Sequence, residues 1–280
     1  MKAAEECYSC LARLVRQAAE LATDDPDLRE RVVGEGLGLL DREFSTCKTS
    51  IAVATPLHRL VRAMTANADP YDRVKKGELE LAAQILAGAI DGPATDDLRS
   101  CLVFAVRGNN IDFFKEPDEV RSGMMGPVDL AIDHTAGLFE KLATASTILF
   151  LADNAGEVPF DLPLVSALGD HAPVTYVVKE SPVQDDVTLS DLESHGLLAS
   201  LPGVMTTGTD TPGVDMEMAS PEFRSAFEAA DLVLAKGMGY WETLTELPAA
   251  GKVLHLLKAK CRPVADSVGV PLESYVALLR

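Results

Sequence analysis

Apolar residues recur every three or four positions through the first hundred residues, which is the spacing of one face of an α-helix. The first stripe runs from Leu11 to Leu21, and Cys7 and Cys10 extend it. Pairs that favour a helix start, an Asp or Thr followed by Pro, stand at Asp25, Thr55 and Asp69. Since no strand pattern precedes about residue 145, the sequence predicts a helical N-terminal part.

Short apolar runs rich in β-branched residues replace this pattern in the second half of the chain. They cover residues 148–151, 174–178, 204–206, 232–234 and 253–257, with segments of helical length between them. Strands that alternate with helices in this way are typical of a mostly parallel, doubly wound sheet. We therefore predict an α/β protein.

Charge and cysteine content narrow the partners and the compartment. The 280 residues include 25 Lys and Arg against 43 Asp and Glu, a formal net charge of −18 without a local basic patch. Nucleic acid and anionic membranes are therefore not expected partners. The N-terminus lacks a signal-peptide pattern, the longest apolar run is too short for a bilayer, and the five cysteines are odd in number. These features predict a reduced, cytoplasmic protein.

Polar and glycine residues follow every predicted strand. Ligands of open α/β sheets bind beyond these carboxyl ends. The segments are Asp153-Asn154-Ala155-Gly156-Glu157, Lys179 to Asp191, Gly208-Thr209-Asp210, Lys236-Gly237 and Lys258-Ala259-Lys260. Carboxylate and amide oxygens suit Mg²⁺ or Mn²⁺, while lysine beside glycine suits phosphate. Any one Asp could simply cap a helix, but five such segments at one edge favour phosphoryl transfer.

The order of these motifs resembles the metal-dependent damage-control phosphatases, also called acidic-residue-methyltransferase-like proteins. The resemblance covers almost the whole chain and is similar to the smaller, largely prokaryotic subfamily. It rests on Cys7-x-x-Cys10, Thr55-Pro56, Asp69-Pro70-Tyr71, Gly108-Asn109-Asn110-Ile111-Asp112, Asp153 to Glu157, Lys179 to Thr188, Gly208 to Gly213, Lys236-Gly237-Met238-Gly239 and Leu257 to Cys261.

The resemblance implies a helical N-terminal domain, residues 1–125, on a three-layer α/β/α domain, residues 126–280. It also implies hydrolysis of small phosphorylated metabolites, such as sugar phosphates or damaged phosphometabolites, with one divalent ion of Mn, Co, Ni or Mg. Asp153, Asn154 and Asp191 match the metal ligands, with Asp186 as a rival to Asp191. The candidate catalytic residues are Asp153, Lys236 and Glu157, and Lys236 would hold the phosphate. The candidate substrate-binding residues are Asn109, Asp112, Gly156, Gly237 and Lys258.

Two departures from the family pattern concern the substrate. Asp185 stands where the family usually has Asn, and Met238 and Tyr240 stand where it usually has Gln and Asn. If that Asn touches substrate, Tyr240 would narrow the pocket or change its preference.

Cys7 and Cys10 could bind a metal or form a redox pair. A structural zinc site would need further ligands from Cys47, Cys101 or a histidine. Because both cysteines extend an apolar stripe, we expect them to be core residues.

Two other functions remain open beside the phosphatase. One is a carboxyl methyltransferase that uses S-adenosylmethionine, although Ala155-Gly156 is a poor version of the glycine-rich loop expected there. The other is a non-catalytic protein that binds a phosphorylated metabolite. The oligomeric state is left open by the sequence.

Overall fold

Helices form the N-terminal part of the chain and alternate with strands after it. The computed structural model describes residues 1–88, 97–111, 120, 124 and 128–280. Within them the helices are α1 (Glu6–Ala22), α2 (Pro26–Glu43), α3 (Ser50–Thr65), α4 (Asp72–Gly88), α5 (Leu98–Arg107), α6 (Thr135–Leu142), α7 (Val158–Gly169), α8 (Leu189–Ser194), α9 (Pro221–Ala229), α10 (Gly237–Leu244) and α11 (Arg262–Val268). The strands are β1 (Leu130–Asp133), β2 (Ile148–Leu151), β3 (Val174–Val178), β4 (Val204–Thr206), β5 (Leu232–Lys236), β6 (Val253–Lys258) and β7 (Tyr275–Leu279).

Side-chain caps decide where the N-terminal helices begin. The carboxylate of Asp25 accepts two backbone N–H groups at the start of α2, as its sequence predicts. The hydroxyl of Thr49 accepts the N–H of Ala52 at 3.1 Å and caps α3. The predicted helix start at Thr55 is therefore wrong, because the Thr49 cap begins the helix earlier and Thr55 lies inside it.

The seven strands form one mostly parallel sheet in the order β1-β7-β6-β5-β2-β3-β4. The five strands from β4 to β6 are parallel, and all five were predicted from their apolar runs. Strand β7 runs antiparallel to β6, and β1 pairs with β7 in parallel. The carboxyl ends of the five parallel strands consequently meet at one edge of the sheet.

The expectation of no strand before about residue 145 is wrong, because β1 begins at Leu130. Its four residues alternate between half-buried and exposed positions at the sheet edge. Such a short edge strand needs no continuous apolar run, which is the pattern of a strand covered on both faces. Strand β7 lies between β1 and β6, and its apolar run was not predicted as a strand.

The largest apolar cluster joins the N-terminal helices to the sheet. Leu79 of α4 and Leu102 of α5 lie in one cluster with Phe150 of β2 and Leu164 of α7. On the opposite sheet face, α9 packs through Phe223. Helices therefore cover both faces of the sheet, and α5 shares its core with the strands. The domain boundary between residues 125 and 126 stays a prediction.

The cysteine pair of α1 lies away from the core. Cys7 is half-buried and Cys10 is exposed, whereas the buried face of the helix begins at Leu11. The expectation that both cysteines are core residues is therefore wrong, because the apolar stripe does not extend backwards to them. All five cysteines are free thiols.

Among the described residues, no helix combines the length and the apolar character needed to cross a membrane.

Candidate active site

Two loops at the carboxyl edge of the sheet are tied together by their backbones. Asp153 and Asn154 follow β2, and the loop after β3 lies beside them. The N–H of Val187 donates to the carbonyl of Asp153 at 2.9 Å, and the N–H of Ala155 donates to that of Asp185 at 2.8 Å. These hydrogen bonds bring the acidic residues of both loops to one place, as the strand order predicts.

Gly237 leaves room for the carboxylate of Asp153. Its φ is +79°, a left-handed conformation that glycine adopts without strain. A Cβ atom at this position would lie 1.8 Å from Asp153 Oδ2 and 2.2 Å from its Cγ. The turn from β5 into α10 is therefore built around this carboxylate, which also explains why glycine follows Lys236.

The environment of Asp153 opposes its negative charge. Burial raises the pKa of Asp153 well above its ordinary value, and the nearby charges of Glu157 and Asp186 raise it further. The ammonium of Lys179 acts in the opposite direction but does not compensate. No described residue donates a hydrogen bond to either carboxylate oxygen of Asp153. This half-buried carboxylate therefore carries a charge that its surroundings compensate only in part.

Asp191 is fixed through one of its two carboxylate oxygens. Oδ2 accepts the N–H of Thr188 at 2.9 Å and its hydroxyl at 2.6 Å, which caps α8. The ammonium of Lys75 donates to the same oxygen at 2.8 Å and also pairs with Asp69 at 2.7 Å. The other oxygen, Oδ1, makes no hydrogen bond with a described residue.

Asp186 has a different cation. Its Oδ2 lies 3.3 Å from Nζ of Lys179, and burial raises the pKa of this carboxyl despite that lysine. Lys179 also donates to the hydroxyl of Tyr240 at 3.0 Å and to the carbonyl of Gly213. Tyr240 is fully buried, and its hydroxyl helps to fix the position of the Lys179 ammonium. The choice between Asp186 and Asp191 as third ligand stays a prediction.

Lys236 lies in a fully buried ion-pair network. Its Nζ donates to Glu157 Oε2 at 2.7 Å and to Asp161 Oδ1 at 2.5 Å. Burial alone would lower the pKa of Lys236, but the two carboxylates raise it above its ordinary value. Tyr176 donates its hydroxyl to Asp161 Oδ2 at 2.8 Å. Here the ammonium of Lys236 neutralises two carboxylates, and its predicted role in holding the phosphate stays a prediction.

Two predicted substrate-binding residues have partners within the protein. Asn109 Nδ2 donates to Glu157 Oε2 at 2.7 Å, and its Oδ1 accepts the N–H of Lys258 at 3.3 Å. The ammonium of Lys258 donates to Asn110 Oδ1 at 3.0 Å and pairs with Glu273 at 2.6 Å. Both side chains link the helical part to the sheet edge, and their contact with substrate stays a prediction.

Gly156 lies where the helical part meets the loop after β2. A Cβ atom there would approach Ile111 Cγ2 to 2.7 Å and Glu78 Cβ to 2.8 Å. This glycine is therefore needed for close packing, whatever its role toward substrate. Asp112, which we also predicted to bind substrate, lies outside the described residues.

The donor chemistry of the site fits a divalent cation. Within the described ranges, no three His, Cys, Asp or Glu side chains are arranged to hold a metal ion. The expected set contains only two carboxylates, Asp153 and Asp191, with the amide of Asn154 as the third group. No described residue donates a hydrogen bond to either carboxylate oxygen of Asp153, to the side-chain carbonyl of Asn154 or to Asp191 Oδ1. Hard oxygen atoms of this kind suit Mg²⁺ and Mn²⁺.

Three charged residues that pair with residues of the site were not predicted to do so. Asp161 follows Glu157 by four positions, which places both carboxylates on the same side of a helix start. That spacing was a usable signal for a shared cation. Lys179 begins one of the motifs after the predicted strands, but no function was predicted for it. Lys75 had no signal, because its partner Asp191 is 116 residues away in the chain.

The chain is similar to known proteins over nearly its whole length. Residues 3–276 match the damage-control phosphatase ARMT1-like domain. A damage-control phosphatase from Pyrococcus horikoshii is 34% identical over 99% of this chain and 98% of its own. Another, from Archaeoglobus fulgidus, is 32% identical over 99% of both chains. The crystal structure of a DUF89 family protein from Pyrococcus horikoshii superposes with a TM-score of 0.88 at 32% identity, covering 100% of this chain and 99% of that one.

Proposed function

The chain belongs to the damage-control phosphatase ARMT1-like family, and we propose that it is a divalent-metal-dependent phosphatase. Its substrates would be small phosphorylated metabolites, either sugar phosphates or damaged phosphometabolites. Two of its relatives are named damage-control phosphatases, and the chain covers almost their whole length. The metal requirement, the substrate class and a cytoplasmic location are parts of this proposal.

The unpartnered carboxylate of Asp153 carries the proposal. It is surrounded by other acidic groups, its oxygens accept no hydrogen bond from the described residues, and Gly237 makes room for it. A divalent cation would balance this charge, with Asp153, Asn154 and Asp191 as its ligands. When bound, Mn²⁺, Co²⁺, Ni²⁺ or Mg²⁺ supplies a Lewis acid that polarises the phosphoryl group and lowers the pKa of bound water.

Backbone groups at the start of α10 are the proposed phosphate-binding elements. The helix begins at Gly237 without a side-chain cap, so its first N–H groups can donate to an anion. The positive end of the helix dipole lies beside the proposed metal ligands at this point. Lys236 contributes indirectly, because its charge offsets those of Glu157 and Asp161.

The test is metal-dependent release of p-nitrophenol from its phosphate ester. Protein stripped with chelator receives Mg²⁺, Mn²⁺, Co²⁺ or Ni²⁺ separately, and calorimetry measures metal binding in parallel. Asp153→Asn should abolish turnover and weaken metal binding while the protein stays folded. The control is Asp231→Asn at the amino end of β5, where the carboxylate accepts the backbone N–H of Ser146 at 2.8 Å. Wild-type turnover in Asp153→Asn would refute the proposal.

A further inference from the structure

Glu157 and Asp161 share Lys236 but differ in their second oxygen. Both are buried, and both accept a hydrogen bond from Lys236 Nζ, at 2.7 Å and 2.5 Å. The remaining oxygen of Asp161 accepts the hydroxyl of Tyr176. The remaining oxygen of Glu157, Oε1, is buried and has no hydrogen-bond partner in the part of the chain that the structure describes. The two carboxylates thus share the same lysine, but only Glu157 has an oxygen without a donor among the described residues.

A buried acceptor without a donor costs about 1–3 kcal/mol and calls for an explanation. Rotation of the Glu157 carboxylate does not relieve it, because Asn109 Nδ2 and Lys236 Nζ both donate to Oε2 at 2.7 Å. These two donors fix the plane of the group and hence the position of Oε1. The fold thus maintains an oriented and unpaired carboxylate oxygen.

This oxygen belongs to the same group of side chains as the proposed metal ligands. Glu157 ends the short 3₁₀ turn that directly follows Asn154, and its charge contributes to the raised pKa of Asp153. The start of α10, where we place the phosphate, packs against the carboxylate of Asp153. Glu157 and the proposed phosphate position are therefore both neighbours of Asp153.

We propose that Glu157 is the general base of the hydrolysis and that Asn109 is a positioning residue for it. This inference rests on the proposed phosphatase function. Glu157 Oε1 accepts one proton from water as the water oxygen bonds to phosphorus. The ester P–O bond breaks with its electron pair on the departing oxygen, which takes a proton from solvent unless it leaves as a stable phenolate. Glu157 then returns its proton to solvent.

A purely electrostatic role for Glu157 is the competing explanation. In that case Glu157 only neutralises Lys236, and Asp161 would be equally important. Glu157→Gln and Asp161→Asn are matched variants, because each removes one negative charge from the same lysine and preserves the shape of the side chain. We would measure kcat and KM with p-nitrophenyl phosphate, and the Kd for Mn²⁺ by calorimetry.

General-base catalysis predicts that Glu157→Gln lowers kcat by about 10²–10⁴-fold. KM and the Mn²⁺ Kd should stay within about threefold, because Gln keeps the shape of the Glu157 side chain, and Asp161→Asn should keep kcat within about tenfold, because the base is still present. Formate should partly restore Glu157→Ala, because a small carboxylate can occupy the cavity and accept the proton. Asn109→Ala should lower kcat at unchanged KM and Kd, and formate should not restore it.

Equal losses of kcat in Glu157→Gln and Asp161→Asn would refute the base assignment in favour of charge balance. A weaker Mn²⁺ Kd in Glu157→Gln would refute it by placing Glu157 among the metal ligands. Wild-type turnover in Glu157→Gln would also overturn it while leaving the phosphatase proposal intact. A wild-type protein that is inert with every metal would refute the phosphatase proposal, and this inference with it.

Discussion

Replacing Gly237 by alanine should displace the carboxylate of Asp153. The new Cβ atom would lie 1.8 Å from Asp153 Oδ2. Non-bonded heavy atoms prefer a separation of about 3.5 Å, so one of the two groups must move by about 1.7 Å. The backbone of residue 237 connects β5 directly to α10 and has little freedom. The carboxylate is therefore the group that moves.

The expected loss has two separable parts. A left-handed conformation at a residue with a Cβ atom costs about 1–2 kcal/mol in folding stability. Displacing a group of the reaction centre by about 1 Å costs about 10²-fold in rate. We therefore expect Gly237→Ala to reduce kcat at least about 10²-fold and to weaken Mn²⁺ binding about tenfold or more, the effect of about 1.4 kcal/mol of lost ligand energy.

Gly269→Ala is the matched control for backbone strain. Gly269 has a φ of +83°, and nothing lies within 4 Å of its ideal Cβ position. This variant should lose about 1–2 kcal/mol of stability in urea denaturation while keeping kcat and the Mn²⁺ Kd. If Gly237→Ala behaves like Gly269→Ala in all three measurements, the position of Asp153 does not determine activity and our reasoning about the site is wrong.

Two further predictions concern stability and need only denaturation measurements. Lys75→Met should lower the free energy of unfolding by about 3 kcal/mol, because it leaves Asp69 and the buried Asp191 without their shared cation. Lys76→Met breaks only an exposed pair with Asp72 and should lower it by less than about 0.5 kcal/mol. Equal losses in urea denaturation would contradict this. Burial raises the pKa of Glu242 from 4.5 to about 7, so ionising this carboxyl opposes folding once the pH exceeds the unfolded value. Glu242→Gln should therefore melt at a higher temperature than the wild type at pH 8 and at the same temperature near pH 4.5, and a gap that does not change with pH would refute the assignment.

The five parallel strands were predictable because each reads as a short apolar run, and β2 and β5 are buried along their whole length. Phe150 and Leu234, for example, are fully buried in the middle of β2 and β5. Their order along one edge then predicted that Asp153 and Asp186 would meet, and the backbone hydrogen bonds between their loops are consistent with it. Edge strand β1 alternates between half-buried and exposed positions, so the same reasoning could not find it, and the apolar run of β7 near the end of the sequence was not recognised as a strand.

The pairing of charges was not predictable from local sequence. Lys236 reaches Glu157 across 79 positions of the chain, and Lys75 reaches Asp191 across 116. Its position after a predicted strand identified Lys236 as a cation near the site. That position did not show whether the ammonium would bind phosphate or pair with a carboxylate. Only the packing of helices from both parts of the chain decides which partner each lysine has.

The core that α5 shares with the sheet limits how this protein can evolve. Leu102 and Leu164 lie in one cluster, and Asn109, at the end of α5, contacts Glu157 at the sheet edge. A recombination event that exchanged the first part of the gene for that of a distant relative would alter this cluster and these polar contacts at once. Such a hybrid protein should fold and function only when the residues on both sides of these contacts are still compatible. New specificity would therefore arise more readily by point substitution around the carboxyl edge of the sheet than by exchange of modules.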